Sequence, residues 1–456
     1  MSGAPGARLP RWVWFGAAVA LAIHVVVLVS IVRQPLDAAH APAGRSLVWP
    51  LYADTTHRKG PAADFFGVYD AGVQPASPQD LYVDINNPAF PPTRVPYGYP
   101  YRYLPVIAYT LSPVLRLFSP HAAYLAWIAL IEATLAASLV VLWKRAQGAA
   151  TKLFVAATLL VSFPYFLELH MGQFTFVAIA LALAALALRE RDGPPAARAL
   201  GAVAFVSTVL LKLFPLVTTP ALLRTRRGAR LVALALGLAV VTSAVYFIGR
   251  PGALEAFASV NTGGKMDGLD AGNHGLLYVF HRTTTMAGVS WTPTSWTIVT
   301  TVWQLGLLAA VGLVVLLARR CSAVVGGALL VVAFVLSYVH VWEHHYSATI
   351  LAALAILVSL ERCDGGWSPR VRALAVAVAL LTLPTPFVLL DPHPDPAVWD
   401  PSLGWGLWAL LPPLCKALPA LLVLGVGIRA VAASGFALPD YVVAWRRRRA
   451  TTIVTT

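Results

Sequence analysis

The sequence predicts an all-α polytopic membrane protein, and three observations predict it. First, only 12% of the residues are charged while 58% are hydrophobic, and the mean hydropathy is +0.71. A soluble chain of this size needs more charge than that to cover its surface. Second, apolar runs long enough to cross roughly 30 Å of hydrocarbon recur from end to end. Third, Lys and Arg gather between those runs and in the tail at Arg446–Arg449, as the positive-inside rule expects. The net charge of +14 is therefore read as a membrane signature. The lipid bilayer is the expected partner, and nucleic acid is not.

The first run, 12–32, is longer than the apolar core of a signal peptide, and many more crossings follow it, so it is read as an uncleaved first helix. Arg8 and Arg11 place the N-terminus inside, which puts 33–120 outside. Lys144, Arg145 and Lys152 then belong inside, so one crossing, 121–143, must lie between. The stretch 101–118, broken by Pro105 and Pro113, is therefore expected to lie on or dip into the outer face. Further runs follow at 149–167 and 173–188. The stretch 198–223 is flanked by arginines on both sides and interrupted by Lys212 and Pro215. Two half-crossings hinged at 211–215 would keep both flanks cytoplasmic. Runs at 229–249, 294–318, 322–339, 346–360, 370–390 and 403–431 complete the bundle, with a basic cytoplasmic tail over 432–456. About twelve crossings with both termini cytoplasmic are expected, around one membrane domain with a long first outer loop.

This topology brings several polar stretches to the outer side: the first loop, 170–174, Lys212, 272–275 and 340–346. Each allows two readings. Asp64 is either a helix N-cap or a general base held near the membrane surface, and Asp70 is a solvated neighbour. Arg102, among tyrosines, either snorkels from an aromatic belt or holds a lipid phosphate. Lys212 is costly in an apolar run, and with Pro215 it marks broken backbone of the kind tolerated beside water or protein; a phosphate contact is expected. In 340–346, adjacent His344 and His345 would point in different directions on a helix. His340 and His344 could share a face and hold a metal, but contact with an anionic ligand fits the spacing better. Glu132 in mid-helix needs a partner, and His24 is one choice. The three cysteines, Cys321, Cys363 and Cys415, fit no metal or disulfide framework. No nucleotide-binding glycine pattern occurs, and no cofactor is expected.

Five stretches in order, "DFFGVYDAG" with "DLY", "YRYLP", "GQFTFVAIALALAALAL", "LLKLFP" with "GNHGL", and "WEHHYSATILAALAIL", span most of the chain. Together they resemble glycosyltransferase family 87, bacterial membrane enzymes of the GT-C fold. Val68–Tyr69 and His274 depart from the family pattern. The resemblance implies transfer of a sugar, most simply mannose, from a polyprenyl phosphate to a glycolipid or lipoglycan on the outer face of the plasma membrane. It implies Asp64 as catalytic base. It places Tyr69, Arg102, Tyr103, Gln173, Lys212, Asn273, His344 and His345 in substrate binding. Arabinofuranose is the rival sugar. A transporter or lipid flippase is the rival class, which the lopsided first loop and the lack of repeats disfavour.

Overall fold

The structure is a computed structural model, and it describes residues 9–34, 36, 46–48, 61–71, 81–82, 101–190, 194–262, 273–318, 320–385 and 410–439. Most of the first outer loop, the last five residues of the 370–390 run, the start of the 403–431 run and the tail beyond 439 lie outside the described residues.

Among the described residues the chain is helical, with one isolated bridge pairing Ala318 and Phe436. The helices are α1 (Arg11–Val32), α2 (Ala63–Ala71), α3 (Pro105–Leu115), α4 (Pro120–Arg145), α5 (Ala149–Leu160), α6 (Phe163–Met171) and α7 (Thr175–Glu190). Then come α8 (Pro195–Leu211), α9 (Thr219–Leu222), α10 (Arg226–Ile248), α11 (Ala253–Thr262), α12 (Leu276–Met286) and α13 (Pro293–Leu317). The last four are α14 (Ala323–Ser337), α15 (Tyr346–Asp364), α16 (Pro369–Thr382) and α17 (Leu411–Ala432). Among the described residues, seven helical spans are long and apolar enough to cross a bilayer, with α5 and α6 counted as one, and four shorter apolar helices accompany them. Length alone thus does not give twelve crossings. Helix α3 has 11 residues, about 16 Å at 1.5 Å per residue, well short of the hydrocarbon thickness.

α14 and α15 form the centre. Nearly every residue of both is buried, as a helix apolar all round must be. Helix α14 approaches its neighbours closely through Gly326 and Gly327, where an added Cβ would lie 2.7 Å from Val315 and 2.3 Å from Leu186. Small residues at helix contacts are how membrane helices gain dispersion contact without a hydrophobic drive. By contrast α1, α10 and α13 expose Phe15, Val245, Ile248 and Val302. Such side chains suit a lipid-facing perimeter and would be a liability in water.

Glu132 on α4 has its expected partner. His24 Nε2 lies 2.9 Å from Glu132 Oε2, Tyr165 donates to Oε1 at 3.0 Å, and His24 Nδ1 bonds the Leu160 carbonyl at 2.9 Å. The cluster ties α1, α4, α5 and α6 together, consistent with polar glue inside a bundle. The stretch 198–223 departs from the two half-crossings expected. Helix α8 is straight to Leu211, then Lys212 turns extended (φ −155°, ψ 130°), and a 3₁₀ turn, Phe214–Thr218, leads into the four-residue α9. The asymmetry follows from Pro215, which cannot donate to a helix ladder and so shortens the second arm.

Candidate active site

The chain breaks of four segments meet at one cavity of about 370 Å³. The sequence-predicted residues Asp64, Arg102, Tyr103, Gln173, Lys212, His344 and His345 all line it. Each reaches it from a helix end or the turn beside one, where side chains can be aimed without interrupting the packed middle of the bundle.

Helix α2 carries Asp64 in its first turn. The helix starts at Ala63, so Asp64 is not its N-cap; Asp64 is 6% exposed and faces the cavity. Two left-handed residues seat this helix. Ala62 (φ 64°) donates its N–H to the His170 carbonyl at 2.7 Å. Gly172 (φ 65°) closes α6, with Gln173 N–H bonding the Glu168 carbonyl and Gly172 N–H that of Leu169, a Schellman-type end. A Cβ on Gly172 would stand 2.6 Å from Phe65 Cβ, so glycine serves both the backbone conformation and the approach of α2. Asp70 differs from expectation: it is 8% exposed, buried within α2 rather than solvated, and it does not line the cavity.

Lys212 is held from the turn that follows α6. Its Nζ donates to Gln173 Oε1 at 3.1 Å and Thr175 Oγ1 at 2.6 Å, and it sits 5.4 Å from the centre of the Phe174 ring. An ammonium has three N–H groups, so one is left for the cavity. The same turn is anchored by Glu168, a fully buried acid that the motifs did not single out. Its carboxylate accepts from Phe176 N–H at 2.7 Å and Ser347 Oγ at 2.8 Å. Lys212 feels both Asp64 and Glu168 electrostatically, and Arg102 as well. Glu168 falls just past the 149–167 run, and only the fold shows that it bridges α6, α7 and α15.

His344 and His345 do not diverge. They sit on a 3₁₀ turn, Glu343–His345, where the rings stack with centroids 4.3 Å apart. His345 Nδ1 lies 3.1 Å from Trp342 N and 3.3 Å from the Trp342 carbonyl oxygen, so the backbone of Trp342 holds this edge of the ring and leaves Nε2 without a role in seating the turn. His344 is 5% exposed, and its Nε2 has no hydrogen-bond partner among the described residues. His340 also lines the cavity but lies in extended chain before the turn, so it shares no helical face with His344. Among the described residues no three His, Cys, Asp or Glu side chains form a metal-holding group.

Two predicted binding residues lie elsewhere. Tyr69 is buried and its hydroxyl donates to the Phe118 carbonyl at 2.8 Å. Asn273 bonds the Val339 carbonyl at 2.5 Å and accepts from Gly275 and Val341 N–H at 2.8 and 3.3 Å, which fixes the backbone beneath Tyr338 and His340. Neither lines the cavity.

The cavity has two halves. Leu213, Phe214, Val217 and Phe334 make one wall apolar. Stacking continues from Phe214 through Phe334 to Tyr338, with ring centroids 4.2 and 5.1 Å apart. The cations and one carboxylate make the other. Such a site suits an amphipathic ligand with an anionic group between its halves. Phe257 and Asn261 on α11 also line it; neither carried a signal in the sequence.

The model of glycosyltransferase family 87 matches residues 101–342, more than half of the chain. Arg102, Tyr103, Gln173 and Lys212 fall inside the match; Asp64 and the histidine pair fall outside it. The crystal structure of ArnT from Cupriavidus metallidurans in the apo state is similar over 92% of this chain and 77% of its own, at 14% identity and a TM-score of 0.34. No curated protein matches the chain.

Proposed function

The chain belongs to glycosyltransferase family 87, and from that premise we propose that it moves a sugar, mannose, from a polyprenyl phosphate to a glycolipid or lipoglycan. The GT-C architecture expected of the family and an active site on the outer face of the plasma membrane are part of this reading. The observation that carries it is the pairing of Asp64 with Lys212, Arg102, His344 and His345 around one cavity. A transferase that uses a phosphate leaving group needs those two functions: one base and a cationic cradle.

In this reading the Asp64 carboxylate takes the proton of the acceptor hydroxyl as its oxygen attacks the anomeric carbon. The bond from that carbon to the phosphate oxygen breaks, and its electron pair leaves with the phosphate. Attack opposite the leaving group inverts the anomeric centre and gives an α-linkage from a β-linked donor. The phosphate gains negative charge as it departs, so Lys212 and Arg102, with the histidine pair beside them, stabilise the transition state more than the bound donor. A prenyl phosphate leaves readily, so no second carboxyl acid is required of the kind glycosidases use. The isoprenoid runs along the wall of Phe214, Val217 and Phe334.

The test is to supply purified protein with radiolabelled polyprenyl-phosphate mannose or arabinose and a lipid extract. Mannose label moving into an alkali-stable glycolipid supports the reading. Arabinose label moving alone replaces the sugar, and neither label moving sinks it.

A further inference from the structure

Lys416 lies within α17, an apolar helix, and is 1% exposed. Its Nζ bonds Glu343 Oε1 at 2.9 Å, the Leu381 carbonyl at 2.9 Å and the Leu383 carbonyl. Its three N–H groups are thereby used, and two of them satisfy carbonyls at the end of α16 that no helix bond can reach. Glu343 Oε1 also accepts from Thr385 N–H and Oγ1, both at 2.8 Å. Thr385 Oγ1 lies 3.0 Å from His274 Nε2. His274 N–H in turn bonds the Val341 carbonyl at 2.6 Å, and Tyr346 donates to the His274 carbonyl at 2.8 Å. The network closes around the back of the 3₁₀ turn that carries the histidine pair. Lys416, Glu343 and Thr385 do not line the cavity; His344 and His345, next along the chain, do.

A buried ion pair is a poor device for stability alone, since a well-packed apolar pair of similar volume often does as well. What it supplies is fixed geometry, because the three N–H groups of Lys416 and the Oε1 of Glu343 all have defined partners. The turn needs that. Three residues of 3₁₀ structure have weak hydrogen bonding of their own, yet here they must hold two stacked imidazoles against a cavity.

We propose that Lys416 is a positioning residue: through Glu343 it locks the Glu343–His345 turn so that both imidazoles face the phosphate of the donor. The proposal rests on the phosphate reading of the cavity. It assigns a role in the site to α17, none of whose described residues lines the cavity.

The test uses the full chain in detergent or nanodiscs. Glu343→Met combined with Lys416→Met removes both charges and keeps the volume; Glu343→Gln alone is the isosteric second variant. Three quantities are read: the melting temperature, kcat and KM for sugar transfer, and the imidazole ¹⁵N resonances of His344 and His345. The double variant strands the Leu381 and Leu383 carbonyls and the Thr385 N–H, so it is expected to melt below the wild type, and kcat, KM and the imidazole signals are read on the folded protein. Its kcat should fall about a hundredfold, the scale of an ångström-sized misplacement, with KM for the acceptor unchanged and the two imidazole signals shifted or broadened. Glu343→Gln should move the same signals and lower kcat in the same direction. Variants with wild-type kcat and wild-type imidazole signals overturn the proposal. Should the wild type transfer no sugar at all, the reaction reading fails, and the imidazole signals still decide the clamp.

Discussion

Asp64 and Asp70 share one short helix, yet only the first reaches the cavity. Asn at position 64 keeps the shape and removes the base. Asp64→Asn is therefore expected to abolish sugar transfer while polyprenyl phosphate still binds; near-normal turnover would remove Asp64 from the mechanism. Asp70→Asn should leave turnover within a few-fold and show itself, if anywhere, in the melting curve, since Asp70 is buried away from the site. A collapse of activity there would reopen a two-acid mechanism. The place of Asp64 at the cavity was legible in the sequence because a motif marked it. The burial of Asp70 was not, because an acid in an outer loop reads as solvated until α2 is seen with all its residues buried. Lys212 was legible as a charge in an apolar run. Lys416 carries the same signal, but its meaning depends on Glu343, far away in sequence, and pairing at that distance leaves no local mark.

At the scale of elements, helix ends decide where the site forms. The α6 end at Gly172 sets the height of both α2 and Lys212. Gly172→Ala must adopt a left-handed conformation and push Phe65 away, at a cost of about 2–4 kcal/mol. Its melting temperature should drop, and its activity should fall further than that of a variant equally destabilised at α13. Glu132→Ala tests the opposite case. It strands His24 Nε2 and the Tyr165 hydroxyl, at about 1–3 kcal/mol for each group left unsatisfied. It should lower the melting temperature while kcat and KM of the folded fraction stay put, because the cluster lies away from the cavity. Apolar runs in the sequence located most long helices to within a few residues, since lipid imposes length and hydropathy together. They did not foresee α11 or α12, which are short and whose positions are set by packing.

At the scale of the molecule, seven of the predicted residues converge on one cavity, as expected of loops that the distribution of charge assigns to one face. That placement required only the positive-inside rule and could not show which polar residues point inward; Tyr69 and Asn273 turn into the backbone instead. The cations of the cavity are side-chain nitrogens, so transfer should persist in excess chelator. Activity restored only by added divalent metal would revive a histidine metal site. The clamp at Lys416 also has a consequence in time. A chain is inserted from its N-terminus, and among the described residues every one that lines the cavity has been made by His345, well before α17 follows. A chain stopped ahead of Leu411 would carry all of those lining residues without the part that holds its histidines in place. Such a fragment should enter the membrane and remain inert, so that the enzyme switches on only when its synthesis is nearly finished.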